Sequence, residues 1–300
     1  MAEAKKPAIY TIPAHRAFAD ALASGIIARH GKDVLAMARG IVLLPSNRAV
    51  RALSEAFVRA SGGGLLMPRL VPIGDEELGE RLGSALDPIG AGADIPPAIP
   101  TMDRRMILAR LVRQVRAEHG QPVDAGEAMR LGQALGATID QLHVARVAPA
   151  RLAMLDLTDA LSGHWNASLR LLEILLGRWP AELARLGMID LAERRNCLLD
   201  HAARRWREAP PAGFVIAAGI ATAATAICAL LRTVAHMRGG QVVFSALDQH
   251  MTAAQWDAIG PFEPDPVTGF RPRAEESHPQ YLLKIMLERI GVARDEVTLW

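Results

Sequence analysis

Cysteine is scarce in this chain. Cys197 and Cys228 are its only two in 300 residues, they lie far apart, and neither belongs to a C-x-x-C pair. That excludes a disulfide framework and a zinc site built on clustered thiolates, and it fits a reducing, cytoplasmic setting. Charge of one sign is lacking too. A net charge of +2 gives the whole chain little electrostatic pull on nucleic acid, so local clusters must carry any such argument. Aromatic residues make up only 4%, which leaves few platforms on which bases could stack. Phe214 to Leu231 is eighteen residues without a charge, nominally the length of a membrane span. It divides at Gly219, however, into a strand-like Phe214-Val-Ile-Ala-Ala218 and an Ala-rich helix from Thr222 to near His236. Alanine and threonine supply little membrane affinity, so no membrane partner is expected. Near the start, Pro13, His15 and Arg16 interrupt any apolar core of a signal peptide.

Signatures of nucleotide and metal chemistry are missing as well. Ala8 to Ile12 reads as a strand, Pro13 to Arg16 as a loop, and Phe18, Leu22, Ile26 and Ile27 as the apolar stripe of a helix. This is the position of a phosphate-binding loop, but the glycines that let backbone amides approach phosphates are absent, and so is the lysine. The only Gly-Lys pair, Gly31-Lys32, is followed by Asp33 and has Ile26 where the first glycine is required; it reads as a helix end. Asp75-Glu-Glu77 reads as a solvated or capping turn rather than a carboxylate cluster able to hold a catalytic ion. Asp140-x-x-His143 sets two ligands one helical turn apart without others of matching spacing, and His164 and His201 are isolated. No metal, no cofactor and no catalytic residue is expected in this chain.

What is present is a hydrophobic content of 50%, ample for a sizeable core. The most informative stretch is Gly40 to Phe57. Ile41 to Leu44 is a continuous apolar run of the kind buried on both faces of a parallel sheet, and Pro45 ends it. Ser46 or Asn47 can then cap a helix whose Val50, Leu53 and Phe57 form an apolar stripe, while Arg48, Arg51, Glu55 and Arg59 turn outward. Gly62-Gly-Gly64 stops it. A strand feeding a capped helix points backbone N–H groups into the crevice of an open α/β sheet, so Pro45, Ser46, Asn47, Arg48 and Arg51 form a candidate anion site. The plainer interpretation is one ordinary βαβ unit with solvated arginines.

The rest of the chain follows the same alternation. Leu65 to Ile73, with Pro68 and Pro72, reads as an edge strand, and Gly83 to Pro100 as a linker. Thr101 is placed to cap a long helix with Asp103 in its first turn. There Ile107, Leu108, Leu111, Val112 and Val115 face one way and Arg105, Arg110, Arg113 and Arg116 the other, as a solvated face. Asp124 to Glu208 is helical in period, with Pro149 opening one helix, Pro180 breaking or kinking another, and Asp190-Leu-Ala-Glu193 resembling a capping box. Gln241 to Leu247 reads as a buried strand, His278 to Gly291 as a final helix, and Glu296 to Trp300 as a strand cut off by the chain end, as in a fragment of a longer protein. The expected fold is α/β: a parallel sheet from residues 1–85 and 213–300 with a mainly helical insertion at 100–210.

Four segments together, Tyr10-Thr-Ile-Pro-Ala-His-Arg-Ala-Phe18, Val42-Leu-Leu-Pro-Ser-Asn-Arg-Ala-Val-Arg-Ala-Leu53, the strand at Phe214 with its partner ending at Leu247-Asp248, and His278-Pro-Gln-Tyr-Leu-Leu283, carry a resemblance that covers essentially the whole chain. They resemble the N-terminal region of the bacterial AddB family, the double-strand break repair subunits of AddAB helicase–nucleases. The resemblance implies a RecA-like, P-loop-type sheet of superfamily 1 helicase character with a helical insertion, and a nuclease domain further along. It places Tyr10 to Phe18 where a Walker A would stand and Ile216-Ala-Ala-Gly219 where the acidic residues of a Walker B would stand; both lack their working residues. It also matches Pro45 to Arg51 to the strand–turn–helix that touches single-stranded DNA in active relatives. Gly219-Ile-Ala-Thr-Ala-Ala-Thr225 is less rich in glycine and serine than that pattern. The resemblance implies a non-catalytic scaffold that contacts single-stranded DNA weakly beside a partner subunit of AddA type. The alternatives are a stand-alone α/β enzyme binding a phosphorylated small molecule at the Pro45 to Arg51 turn, and a purely structural partner-binding module.

Overall fold

The computed structural model describes residues 6–74, 94–148, 151 and 177–300. The Asp75 to Glu77 turn, Pro149, His164 and most of the Gly83 to Pro100 stretch lie outside them. The chain divides into two compact units, one formed by residues 1–91 and 199–300 and the other by residues 92–198.

The first unit is an α/β layer structure on a six-stranded, all-parallel sheet. Its strands are β1 (Ile9–Ile12), β2 (Ile41–Leu44), β3 (Arg69–Pro72), β4 (Val215–Ala218), β5 (Gly240–Ser245) and β6 (Thr298–Leu299), in the order β3-β2-β4-β5-β1-β6. The first strand thus sits among the last ones, beside β5 and β6. This separates the sheet from the dinucleotide-binding order 3-2-1-4-5-6 and the flavodoxin-like order 2-1-3-4-5, in which the first strand lies among the early ones. Every residue of β2 and β4 is buried, as an unbroken apolar run in a doubly covered sheet requires.

Strand periodicity sends alternate side chains into two cores. Ile41, Leu43, Val215, Ala217, Val242 and Phe244 face one layer. Val42, Leu44, Ile216, Ala218 and Val243 face the other. The second layer is built by α1 (Phe18–His30), α2 (Val34–Arg39) and α3 (Asn47–Ser61), through Leu22, Ile26, Met37, Leu53 and Phe57. The first layer is built by α7 (Thr225–His236), α9 (Tyr281–Ile290) and the later residues of α6 (Leu191–Glu208), through Leu230, Val234, Met286, Leu199 and Trp206. A short α8 (Ala253–Ala258) opens with a capping box between Thr252 and Gln255. Thr11, the one polar residue of β1, is fully buried, and its hydroxyl accepts from the Leu247 amide at 3.1 Å.

The second unit packs α4 (Thr101–Glu118) against α5 (Ala125–Ala145) over Leu108, Leu111, Val112, Leu135 and Ile139, with Trp179 and Leu183 from the helical stretch 177–186. Three local expectations are corrected. Pro180 lies inside that helical stretch without ending it. Thr101 is the first helical residue of α4, preceded by Pro100 with no side-chain cap, because Pro100 already fixes the extended entry. The helix after β4 starts at Thr225, and Thr222 turns its hydroxyl back to accept from the Ala224 amide at 3.3 Å.

One close approach fixes the edge of the sheet near the candidate site. Ile73 donates its amide to Leu44 O at 2.8 Å, and a Cβ built on Gly74 would stand 2.0 Å from the Pro45 carbonyl oxygen. The obstacle is backbone, which cannot rotate away. Gly74→Ala is therefore expected to lower stability by roughly 1–3 kcal/mol, as overpacking does. Urea unfolding of the variant against wild type checks this, and equal midpoints would show that the β3 exit is free to move.

Candidate nucleic-acid interface

The Pro45 to Arg51 turn stands where β2 and β4 part company. The connection leaving β2 runs through α3 on one face of the sheet, and the connection leaving β4 runs through α7 on the other. Neighbouring strands whose connections diverge in this way leave a crevice at their carboxyl ends, the usual ligand position of an open α/β sheet. Pairing of Leu43 with Ala217 sets Pro45 beside Gly219 at its floor.

Local chemistry makes the turn. Proline ends the β2 ladder because it has no amide to donate. Ser46 then adopts an extended conformation, φ −160° and ψ 166°, and its hydroxyl accepts from the Ala49 amide at 3.3 Å. Of the two candidate caps it is Ser46 that serves, and Asn47 becomes the first helical residue. No acidic residue occupies the first turn of α3. Arg48 and Arg51 are exposed and form no ion pair with any described residue. Arg59, on the same helix, is instead held by Asp20 at 2.6 Å. All five residues singled out in the sequence thus fall on one turn, with Arg48 and Arg51, unpaired among the described residues, beside a helix N-terminus.

The neighbouring strand ends are built differently. The loop after β1 leads into α1 through Ala17, which offers no side-chain cap. Across the strand ends, Gly219 holds a left-handed φ of +64°, and the Phe18 ring lies 3.0 Å from where its Cβ would be. An aromatic ring therefore covers the end of β4.

The second unit contains an ionic cluster that the sequence pattern concealed. Asp190 is 1% exposed. Its Oδ2 accepts from Trp179 Nε1 at 2.8 Å and lies 3.2 Å from His143 Nε2; its Oδ1 lies 2.8 Å from Arg104 Nε, close enough for an ion pair though too bent for a hydrogen bond. The other two nitrogens of Arg104 each donate to Asp140 at 2.8 Å. The Asp190 carboxylate is thus turned to the cluster, which corrects the capping-box reading of Asp190 to Glu193. Asp140 and His143 serve as ion-pair partners, and among the described residues no group of three or more His, Cys, Asp or Glu could hold a metal ion. Arg104 was the residue missed. Its signal was present, since 104, 108, 111 and 115 share one helix face, so the guanidinium belongs to the apolar stripe rather than to the arginine face. Of the arginines assigned to that solvated face, Arg110 pairs with Glu182 and Arg116 with Gln121, each at 2.6 Å.

Burial opposes the charge on Asp190, but His143, Arg104 and Trp179 outweigh it and hold its pKa below the ordinary 3.8. The hydrogen bond to Asp190 raises His143 above the ordinary 6.5 against the effect of its own burial. The raised histidine contributes stability that is complete below pH 6.5 and is lost as pH rises through its folded value. The lowered carboxylate contributes stability that is complete above pH 3.8 and is lost as pH falls through its folded value.

No protein-family model and no curated protein matches the chain, so the site stands on its own geometry.

The cluster is expected to matter most between pH 3.8 and 6.5. Asp190→Asn leaves Arg104 and His143 without their buried counter-charge and is expected to cost about 3–5 kcal/mol. Denaturant unfolding across pH checks both statements. The stability gap between wild type and His143→Gln should narrow as pH rises past the histidine's raised value, and a gap independent of pH would refute the charged pair.

Proposed function

We propose that this chain is the N-terminal, helicase-like region of an AddB-type subunit of a DNA double-strand break repair helicase–nuclease. In this reading it is a non-catalytic scaffold that contacts single-stranded DNA. The observation that carries the proposal is the Pro45 to Arg51 turn: an N-terminus with backbone donors, capped by Ser46 and flanked by the exposed Arg48 and Arg51, at the crevice between β2 and β4. The parallel sheet with β5 inserted between β1 and β4 is consistent with a RecA-like fold. Phosphate contacts position a strand without reading its sequence, and this turn has the groups for one or two such contacts. A partner subunit of AddA type and a cytoplasmic setting follow from the same proposal.

Two outcomes test it. Oligonucleotide titration should give single-strand binding no tighter than about micromolar at physiological salt, because stacking platforms are few. The slope of log K against log salt should be about −0.7 per phosphate neutralised, hence shallow. Arg48→Ala with Arg51→Ala should abolish the binding. A panel of sugar phosphates run alongside separates the enzyme alternative, which expects one of them, and not the oligonucleotide, to depend on the two arginines.

The chain is also expected not to hydrolyse ATP. Phosphoryl transfer is mostly positioning and charge neutralisation, and the β1 loop and the end of β4 supply neither the lysine nor the acidic residues for it. Phosphate release above background in a pure sample, abolished by substituting His15 or Arg16, would contradict this.

A further inference from the structure

A cavity of about 620 Å³ opens at the carboxyl end of β1, on the side toward β6. Its volume falls within the usual range for small-ligand sites. One wall is a face of α1 that presents Ala17, Ala21 and Ser24, so side chains leave the space open. Trp300 closes the far end. Its indole N–H donates to Ala21 O at 3.2 Å, and the Arg29 guanidinium covers its ring 3.6 Å from the centroid. His15 and Arg16 stand at the mouth, exposed and without an ion pair to any described residue. The acidic group on the wall, Asp20, has its charge met by Arg59 at 2.6 Å. The cavity is therefore roomy, small-walled and positive at its entrance, with one exposed hydroxyl at Ser24.

Sheet order relates this cavity to the Pro45 to Arg51 turn. Both lie at carboxyl ends of strands, and β2 and β1 are separated by β4 and β5 alone. Three strand spacings of about 4.8 Å set the carboxyl ends of β2 and β1 roughly 14 Å apart along one edge. At about 3.4 Å per nucleotide of helical rise that is some four nucleotides, and fewer for a stretched strand.

We propose that the β1–α1 cavity is a second nucleotide subsite for the strand that the Pro45 to Arg51 turn holds, with Arg16 and His15 on a phosphodiester and the small face of α1 against the sugar and base. The subsite rests on the single-strand reading above. The strand crosses the sheet edge from β2 toward β1, and the vacated phosphate-loop position holds the nucleic acid itself. A free phosphorylated nucleoside shares the chemistry, so the test has an arm for each source.

Fluorescence anisotropy on the whole chain, with labelled oligothymidylates of two, four and eight nucleotides, reads the proposal. Arg16→Ala and Ser24→Trp, which fills the cavity from an exposed position, are each expected to weaken the octamer about fivefold or more, and Arg16→Ala to reduce the salt slope by about 0.7, one phosphate contact. The dinucleotide, too short to span both sites, should be nearly indifferent to them. Matching circular dichroism and thermal unfolding establish that the variants fold. An octamer unaffected by both variants but lost in Arg48→Ala with Arg51→Ala leaves the turn in place and overturns the subsite. Thymidine monophosphate binding that depends on Arg16, with an octamer that does not, overturns the strand assignment in favour of a free nucleotide. A wild-type chain that binds no octamer removes both readings.

Discussion

Burial of β2 and β4 on both faces is the constraint from which the first unit follows. Eight consecutive-strand side chains, Ile41 to Leu44 and Val215 to Ala218, contain no polar group. Each strand must therefore be covered above and below, and helices must pass on both sides of the sheet. Once they do, the faces of β2 and β4 hold no polar chemistry. It is displaced to the carboxyl edge, where strands turn into loops and helix N-termini. Pro45, Ser46 and the two arginines stand there for that reason, and so do His15 and Arg16.

The same constraint explains why the strand ends differ so much from one another. At β2 the chain turns through proline and a serine cap and leaves donors and cations toward solvent. At β4 it turns through a left-handed glycine against the Phe18 ring, which makes that end apolar. At β5 the exit is tied inward, since the Leu247 amide donates to Thr11 and the Asp248 amide to Gln280. The β2 end thus carries a serine-capped turn with Arg48 and Arg51, the β1 end carries His15 and Arg16, and the Phe18 ring stands at the β4 end between them. The second unit has a different economy. Its helices set a partly buried guanidinium between a buried and a partly exposed carboxylate, an arrangement that contributes little net stability over an apolar core but is costly to break from one side.

Much of this was legible in the residues. Ile41 to Leu44 as a buried strand, Pro45 as its end, a cap at Ser46 or Asn47 and the Leu53 and Phe57 stripe all follow from local rules, and the structure has each, with Ser46 as the cap, because backbone sterics and burial decide them within a few residues. Pro68 and Pro72 likewise placed β3 at an edge, where a missing amide costs least. Where local rules competed with distant partners they failed. Asp190 had the spacing of a capping box, yet a partly buried arginine, a histidine and an indole claim its carboxylate. Thr222 looked like a helix start, yet it closes its own loop and the helix waits for Thr225.

The sequence by itself determined the alternation of strands and helices, the absence of nucleotide-motif residues from the β1 loop and from β4, and the gathering of Ser46, Arg48 and Arg51 on one turn. These are properties of short windows, fixed by periodicity, by proline and by side-chain chemistry. Only the tertiary structure decided the strand order, which puts β5 between β1 and β4 and makes a crevice of the β2 exit, because strand order depends on which face each crossover takes. Only it showed Phe18 over Gly219, the cavity along α1 and the pairing of Arg104 with Asp140 and Asp190. Those contacts join residues that are dozens to hundreds of positions apart, and no local pattern encodes them.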